Sequence, residues 1–158
     1  MEIDQTQPKS TTETEPIAKT KSINQDNIID KPERIELLLV DDEEGFVQVL
    51  SKRLSKRNIN VTASLSGDGA IQQYKIKRFD IMLLDLKMEF MDGIEVLKAL
   101  KEIGIDDMKV IMITGHGSLE DAKKGLDLGA VACLPKPYDF EELVKKIREI
   151  HQERRINQ

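Results

Sequence analysis

From residue 35 onward, short apolar runs alternate with stretches whose apolar residues recur at helical spacing. IELLLV (35–40) is a continuous apolar run, as a strand buried on both faces requires. Behind it, Phe46, Leu50 and Leu54 stand four apart, which predicts a helix with one apolar stripe. INVTAS (59–64) is short and β-branched and reads as a second strand. Residues 67–77 are helical in type, with Ala70 and Tyr74 on one face. FDIMLL (79–84), MKVIMI (108–113) and AVACL (130–134) read as the third, fourth and fifth strands. Ile94, Leu97, Leu100 and Ile103 form the stripe of a helix over 92–103. Ser118, with Asp121 three residues later, opens a helix over 118–128 in the manner of a capping box. Asp139 is expected to cap the last helix, in which Phe140, Leu143, Val144 and Ile147 recur at i, i+3, i+4 and i+7. Alternation of this kind with short connections implies an α/β domain, its parallel sheet covered on both faces through right-handed crossovers.

Residues 1–34 have another character. They hold Pro8, Pro16 and Pro32, no aromatic and no glycine, and the isolated apolars Ile3, Ile17 and Ile23 show no period. Such a segment buries too little apolar surface to offset its ordering entropy, so a disordered arm is expected over 1–34. Ile28 and Ile29 are the arm residues expected to touch the body. The domain is expected over 35–150, followed by a polar tail over 151–158 whose last residues, RRINQ, are expected to fray.

Composition narrows the function. The formal charge of −5 argues against a direct nucleic-acid surface. No stretch approaches the roughly 18 consecutive apolar residues of a membrane span. The start, MEIDQTQPKS, has no apolar run of the secretory type. The single cysteine, Cys133, excludes an intramolecular disulfide and fits a reducing cytoplasm. Five of the six methionines lie between 82 and 112, at strand and loop positions where core filling is the natural role.

The chemistry gathers where the strands end. Asp41, Asp42, Glu43 and Glu44 follow the first strand and Ser64 ends the second. Asp85 ends the third, Thr114 the fourth, and the fifth runs into Pro135, Lys136 and Pro137. In open α/β sheets ligands sit outside the carboxyl ends of the strands. Each group alone has a plain explanation: a helix N-terminus, an Asx turn, a solvated lysine. Jointly they bring carboxylates together on one rim, and their repulsion calls for a hard dication. Mg²⁺ accepts one or two carboxylates, a carbonyl and water. A carboxylate beside such a cation can attack phosphorus and form an aspartyl-phosphate. Asp85, ending the central strand, is the expected nucleophile. Asp41 and Asp42 are the expected metal ligands, and Lys136 and Thr114 are expected to meet phosphoryl oxygens.

These residues, in this order, resemble the receiver domain of two-component response regulators. The matching strings are LLLVDDEE (37–44), IMLLDLKM and MDG within 81–93, VIMITGHGS (110–118) and GAVACLPKPYD (129–139). The resemblance spans roughly residues 35–150. It implies the flavodoxin-like (βα)5 fold with strand order 2-1-3-4-5. It also implies Mg²⁺ as cofactor, with the Lys87 backbone carbonyl joining Asp41, Asp42 and Asp85 as a ligand, and a cis Lys136–Pro137 bond. The implied phosphoryl donor is a phosphohistidine on a sensor histidine kinase or phosphotransfer protein. Beyond self-phosphorylation and slow self-dephosphorylation, no enzyme activity is implied.

Two positions depart from the family pattern. Glu89 stands where proline is usual, and Cys133 stands where an aromatic switch residue is usual. Cys133 is expected to be an inert apolar residue. Lys87 and His116, each two residues past a site residue, are expected to tune dephosphorylation. His151, among charges on the last helix, is expected on a solvated face, and Tyr138 is expected to pack the start of that helix. The expected output is a switch without a fused output domain, signalling to a protein target through the helices at 118–128 and 139–150 and the strand between them. It would act as a monomer or a phosphorylation-dependent dimer. The alternatives are a receiver fold that binds its partner independently of phosphorylation, and a Mg²⁺-dependent phosphatase of the haloacid dehalogenase type. The latter's Asp-x-Asp motif is missing, because Lys87 follows Asp85-Leu86.

Overall fold

Strand β1 (Ile35–Val40) leads into helix α1 (Glu44–Ser55), and the alternation continues to the end of the chain. In order come β2 (Ile59–Ser64), α2 (Gly67–Ile76), β3 (Ile81–Asp85), α3 (Gly93–Ile103), β4 (Lys109–Thr114), α4 (Leu119–Asp127), β5 (Ala132–Pro135) and α5 (Phe140–Ile156). The computed structural model describes residues 33–158 apart from 106 and 116–118. The arm expected over 1–34 therefore lies almost wholly outside the described residues, as do His116 and the expected cap Ser118. The strands are all parallel and stand in the order β2-β1-β3-β4-β5, the flavodoxin-like arrangement.

The apolar runs behave as side-chain alternation dictates. Leu37, Leu39, Leu83, Ile111 and Ile113 face one layer, where they meet Val47, Leu50 and Leu54 of α1 and Leu143, Val144 and Ile147 of α5. Leu38, Val40, Met82, Leu84 and Met112 face the other, against Ala70 of α2 and Val96, Leu97 and Leu100 of α3. Met82 and Met112 are fully enclosed, as core filler should be. Every residue of β3 is buried, which identifies it as the centre of the sheet. The edge strands β2 and β5 are only half covered.

Local signals set the helix starts. Ser66 accepts from Gly69 N, and Asp139 accepts from Glu142 N, as expected of a cap. Asp92 and Glu95 form a reciprocal capping box at α3, which the D-x-x-E spacing carries and the sequence reading passed over.

Several expectations need correction, among them the fifth strand, which covers Ala132–Pro135 and not 130–134. The third strand begins at Ile81, not at 79, because Asp80 turns its carboxylate to accept Glu36 N at 2.8 Å. The polar tail expected over 151–158 is helical for most of its length, since α5 continues to Ile156 and takes in the first residues of RRINQ. His151 is not on a solvated face: it is 7% exposed, with Nε2 3.8 Å from Asp80 Oδ2. Both of the last two corrections have one cause. The final turns of α5 lie against the amino ends of the strands, where Arg154 reaches Asp80 Oδ1 at 2.6 Å and the Asp107 carbonyl at 2.9 Å.

Candidate functional site

At the carboxyl end of the sheet, adjacent strands place their terminal acids side by side. β1 and β3 pair in register Val40 to Leu84, so the next residues, Asp41 and Asp85, leave the sheet together. Carboxylate oxygens of Asp41, Asp42 and Asp85 all lie within 4.8 Å of one another. Asp41 is 2% exposed and Asp85 7% exposed, whereas Asp42 is open to solvent.

Asp41 is held from two sides. Its Oδ1 accepts Glu43 N at 2.9 Å, and its Oδ2 accepts the Lys136 ammonium at 3.1 Å. The same ammonium lies 3.9 Å from Asp85 Oδ2 and 4.7 Å from the Phe46 ring centroid. It reaches that place because β5 ends at Pro135 and Lys136 N donates to the Thr114 carbonyl at 2.6 Å. The Lys136–Pro137 bond is cis, as expected.

Asp85 receives the Lys87 backbone N–H at 3.3 Å on Oδ1, which keeps the residue expected to supply a ligand carbonyl against the carboxylate. Burial, reinforced by the charge of Asp41, pushes the Asp85 carboxyl up from 3.8 to about 6, and Lys136 only partly offsets this. A single ammonium therefore does not neutralise the cluster. Three hard oxygen donors with uncompensated charge are the donor set that Mg²⁺ takes, so these residues fit that ion. The Lys87 side chain itself is exposed.

Thr114 is buried at the end of β4, and Cys133 stands on the neighbouring strand β5. Burial pushes the Cys133 thiol up, so it is protonated at neutral pH, in keeping with an inert role. Tyr138 packs against the α1–α5 core, as expected, with its hydroxyl buried and lacking a partner among the described residues. Burial and the nearby Asp41 push that phenol up to about 12.

The structure thus brings together Asp41, Asp42, Asp85 and Lys136, with Thr114 buried at the adjacent end of β4. Two further contributors act through backbone N–H groups. Glu89 N donates to Asp42 Oδ2 at 3.0 Å, tying the loop after β3 to the acid after β1. Gly93 N donates to the Leu86 carbonyl at 3.0 Å and closes that loop.

Comparison with known proteins agrees with this geometry. Residues 37–148 match the family model described as the response regulator receiver domain. The chain is 36% identical over 114 residues to the transcriptional regulatory protein CpxR homolog of Haemophilus influenzae, covering 72% of this chain and 49% of that protein. It is 35% identical over 112 residues to response regulator MprA of Mycobacterium leprae, covering 71% and 49%. The chain thus spans about half the length of these curated relatives. Among solved structures, a CheY-like response regulator receiver domain protein from Methanospirillum hungatei superposes with a TM-score of 0.75 at 27% identity, covering 78% of this chain and 98% of that one. Strand order, the acid cluster at the strand ends and the matched span together establish that this chain belongs to the response regulator receiver domain family of two-component systems.

Proposed function

We propose that the protein is a phosphorylation-controlled switch whose Asp85 accepts a phosphoryl group from the phosphohistidine of a sensor kinase or phosphotransfer protein. The observation that carries this reading is the meeting of Asp41, Asp42 and Asp85 within 4.8 Å beneath the Lys136 ammonium. In the transfer, an Asp85 carboxylate oxygen bonds to phosphorus as the N–P bond of the donor breaks. The bonding pair stays on the imidazole nitrogen, which takes up a proton.

Asp85 attacks as the carboxylate, and a pKa of about 6 leaves most of it ionised at neutral pH. Lys136 meets the charge on a phosphoryl oxygen from the β5 side, and its contact with Asp41 keeps it aimed there. Asp41, Asp42, Asp85 and the Lys87 carbonyl are the groups to hold Mg²⁺, which when bound supplies the positive charge that lets two anions approach. Thr114 donates to another phosphoryl oxygen. Cys133 stands where the aromatic switch residue is usual, so the signal leaves without that aromatic's change of rotamer.

The signal leaves by the surface of α4, β5 and α5, where Leu119, Leu126 and Val131 stand exposed, to a downstream protein target. Coupling of about 1–3 kcal/mol between Asp85 and that surface suffices for such a switch. The decisive experiment incubates the protein with Mg²⁺ and acetyl phosphate and reads intact mass. A gain of one phosphoryl group is expected, and it should vanish in Asp85→Asn. Retention of the gain in that variant refutes the assignment.

The departures from the family pattern at Glu89 and Cys133 support a second reading, in which the fold binds its partner independently of phosphorylation. Unchanged partner affinity on adding beryllofluoride, a phosphoryl mimic, would favour it.

A further inference from the structure

Phe90 is the most conspicuous side chain near the site that the phosphoryl chemistry does not use. It is 100% exposed, and its backbone sits at φ 66°, in the left-handed region that a bulky L residue rarely adopts. Both features are unfavourable for an isolated chain, and neither reflects a loose loop. Glu89 N is bonded to Asp42 Oδ2 at 3.0 Å, Met91 N to the Glu89 carbonyl at 2.8 Å, and Gly93 N to the Leu86 carbonyl at 3.0 Å. Met88 and Met91 pack into the core from beneath. The loop is thus pinned on both sides of Phe90, and the ring is presented outward on a fixed support five residues beyond Asp85. A strained backbone held by its surroundings, carrying a wholly solvated aromatic, marks a contact made with another molecule.

The surroundings indicate what that molecule carries. Asp42, Glu43, Glu44 and Glu89 are all exposed, and the Glu89–Asp42 bond joins them into one acidic rim next to the ring. A second copy of this chain would bring like charge to that rim. A protein with basic residues around an apolar socket matches it in both respects. The loop begins against Asp85 and is tied to Asp42, so a protein that delivers a phosphoryl group to Asp85 arrives beside it.

We infer that Phe90 is the docking anchor for the histidine-bearing phosphodonor protein, whose matching face is an apolar socket ringed by lysine or arginine. This inference rests on Asp85 being the phosphoacceptor. The rigid presentation lowers the ordering cost of docking, and a pre-placed aromatic is the usual form of an interface hot spot.

The test compares two phosphodonors on the same protein. The first is acetyl phosphate. The second is the autophosphorylated histidine kinase core, chosen from the source organism's set, that transfers fastest to the wild-type chain. For each variant the rate from the kinase core is divided by the rate from acetyl phosphate. In Phe90→Ala and Phe90→Gly this ratio is expected to fall by about tenfold or more. Phe90→Gly should at the same time raise Tm by a few degrees, because glycine relieves the left-handed backbone. Raising salt should slow transfer from the kinase core, as attraction between a basic face and the acidic rim requires.

An unchanged ratio, or a Phe90→Gly protein that melts lower, overturns the inference, the latter because the ring would then be serving the fold. Transfer that quickens with salt overturns the basic socket. If acetyl phosphate labels Asp85 but no kinase core does, the inference fails while the acceptor assignment stands. If acetyl phosphate fails to label the wild-type chain, the acceptor assignment itself fails.

Discussion

The ammonium of Lys136 reaches 3.1 Å from Asp41 Oδ2, joining residues 95 positions apart in the chain. It stands slightly farther, 3.9 Å, from Asp85 Oδ2. Lys136 is thus the positive charge among the site's described side chains that faces both buried acids. Lys136→Met removes that charge and keeps the length of the apolar stem. Phosphoryl uptake from acetyl phosphate should fall by about tenfold to a hundredfold. Affinity for Mg²⁺ should rise, because the acids lose their internal counter-charge. Mass spectrometry and calorimetric Mg²⁺ titration check the two halves, and undiminished uptake would remove Lys136 from the chemistry.

Asp85 makes the fold pH-sensitive in a direction opposite to that of most carboxylates. Its ordinary value of 3.8 is raised to about 6 by burial and by Asp41. Between those values the folded chain holds a proton that the unfolded chain has released. Stability therefore falls as pH rises through this window and stays lower above it. Asp85→Asn removes the penalty. Without divalent ions at neutral pH the variant should be more stable by about 1–2 kcal/mol, less than the full shift because water at the rim screens part of it. Near pH 4 the difference should vanish. Millimolar Mg²⁺ should narrow it at neutral pH by binding the wild-type cluster more tightly. Urea denaturation at both pH values, with and without Mg²⁺, measures this. A wild-type chain more stable than the variant in metal-free buffer at neutral pH would contradict it.

Gly93 is fixed by space. A Cβ there would stand 2.6 Å from the Asp85 carbonyl and 2.9 Å from Leu86 Cα, and backbone atoms do not yield as side-chain tips do. Gly93→Ala should cost about 1–3 kcal/mol and displace the loop behind Asp85, with loss of phosphoryl uptake. Gly45→Ala supplies the contrast. Nothing lies within 4 Å of its Cβ position in α1, so that change should stabilise the chain by about 0.5–1 kcal/mol through helix propensity. Equal effects of the two substitutions would refute the steric account.

The expected sheet and site were legible for a simple physical reason. Leu37–Val40 and Ile81–Leu84 are apolar without interruption because both faces of the central strands are covered, and the first charged residue after each run marks the rim. Asp41, Asp85 and Lys136 could be named from that pattern because chemistry at a strand end needs only the right residue at the right boundary. What stayed hidden depends on backbone bonds and on distant partners. Glu89 serves Asp42 through its N–H, to which its side-chain type gives no clue. His151 looked solvated because its sequence neighbours are charged. Its burial follows the stripe of Val144 and Ile147, which reaches it at i+7 and i+4 once α5 runs past Ile150; only the neighbouring Asp80, far away in the chain, left no trace in the helix pattern.

The same Asp80 cluster carries a stability prediction at the end of the sheet remote from the Asp41–Asp85 cluster. Arg154 Nη1 lies 2.6 Å from Asp80 Oδ1, and its Nε donates to the Asp107 carbonyl at 2.9 Å. Asp80 Oδ2 meanwhile accepts Glu36 N at 2.8 Å, so one carboxylate joins α5 to β1 and the start of β3. Both charged side chains are largely enclosed, at 17% and 19% exposure, where loss of one partner leaves the other poorly compensated. Arg154→Ala should therefore cost about 1–3 kcal/mol. Lys145→Ala, which breaks a surface pair with Glu149 at 3.9 Å, should cost less than about 0.5 kcal/mol. Because Asp80 and Asp85 lie at opposite ends of β3, Arg154→Ala should leave phosphoryl uptake intact at temperatures where the variant is folded. Chemical denaturation read by circular dichroism gives the first quantity and acetyl phosphate labelling the second. A denaturation midpoint equal to wild type would mean that the Arg154 contacts with Asp80 and the Asp107 carbonyl add nothing to stability.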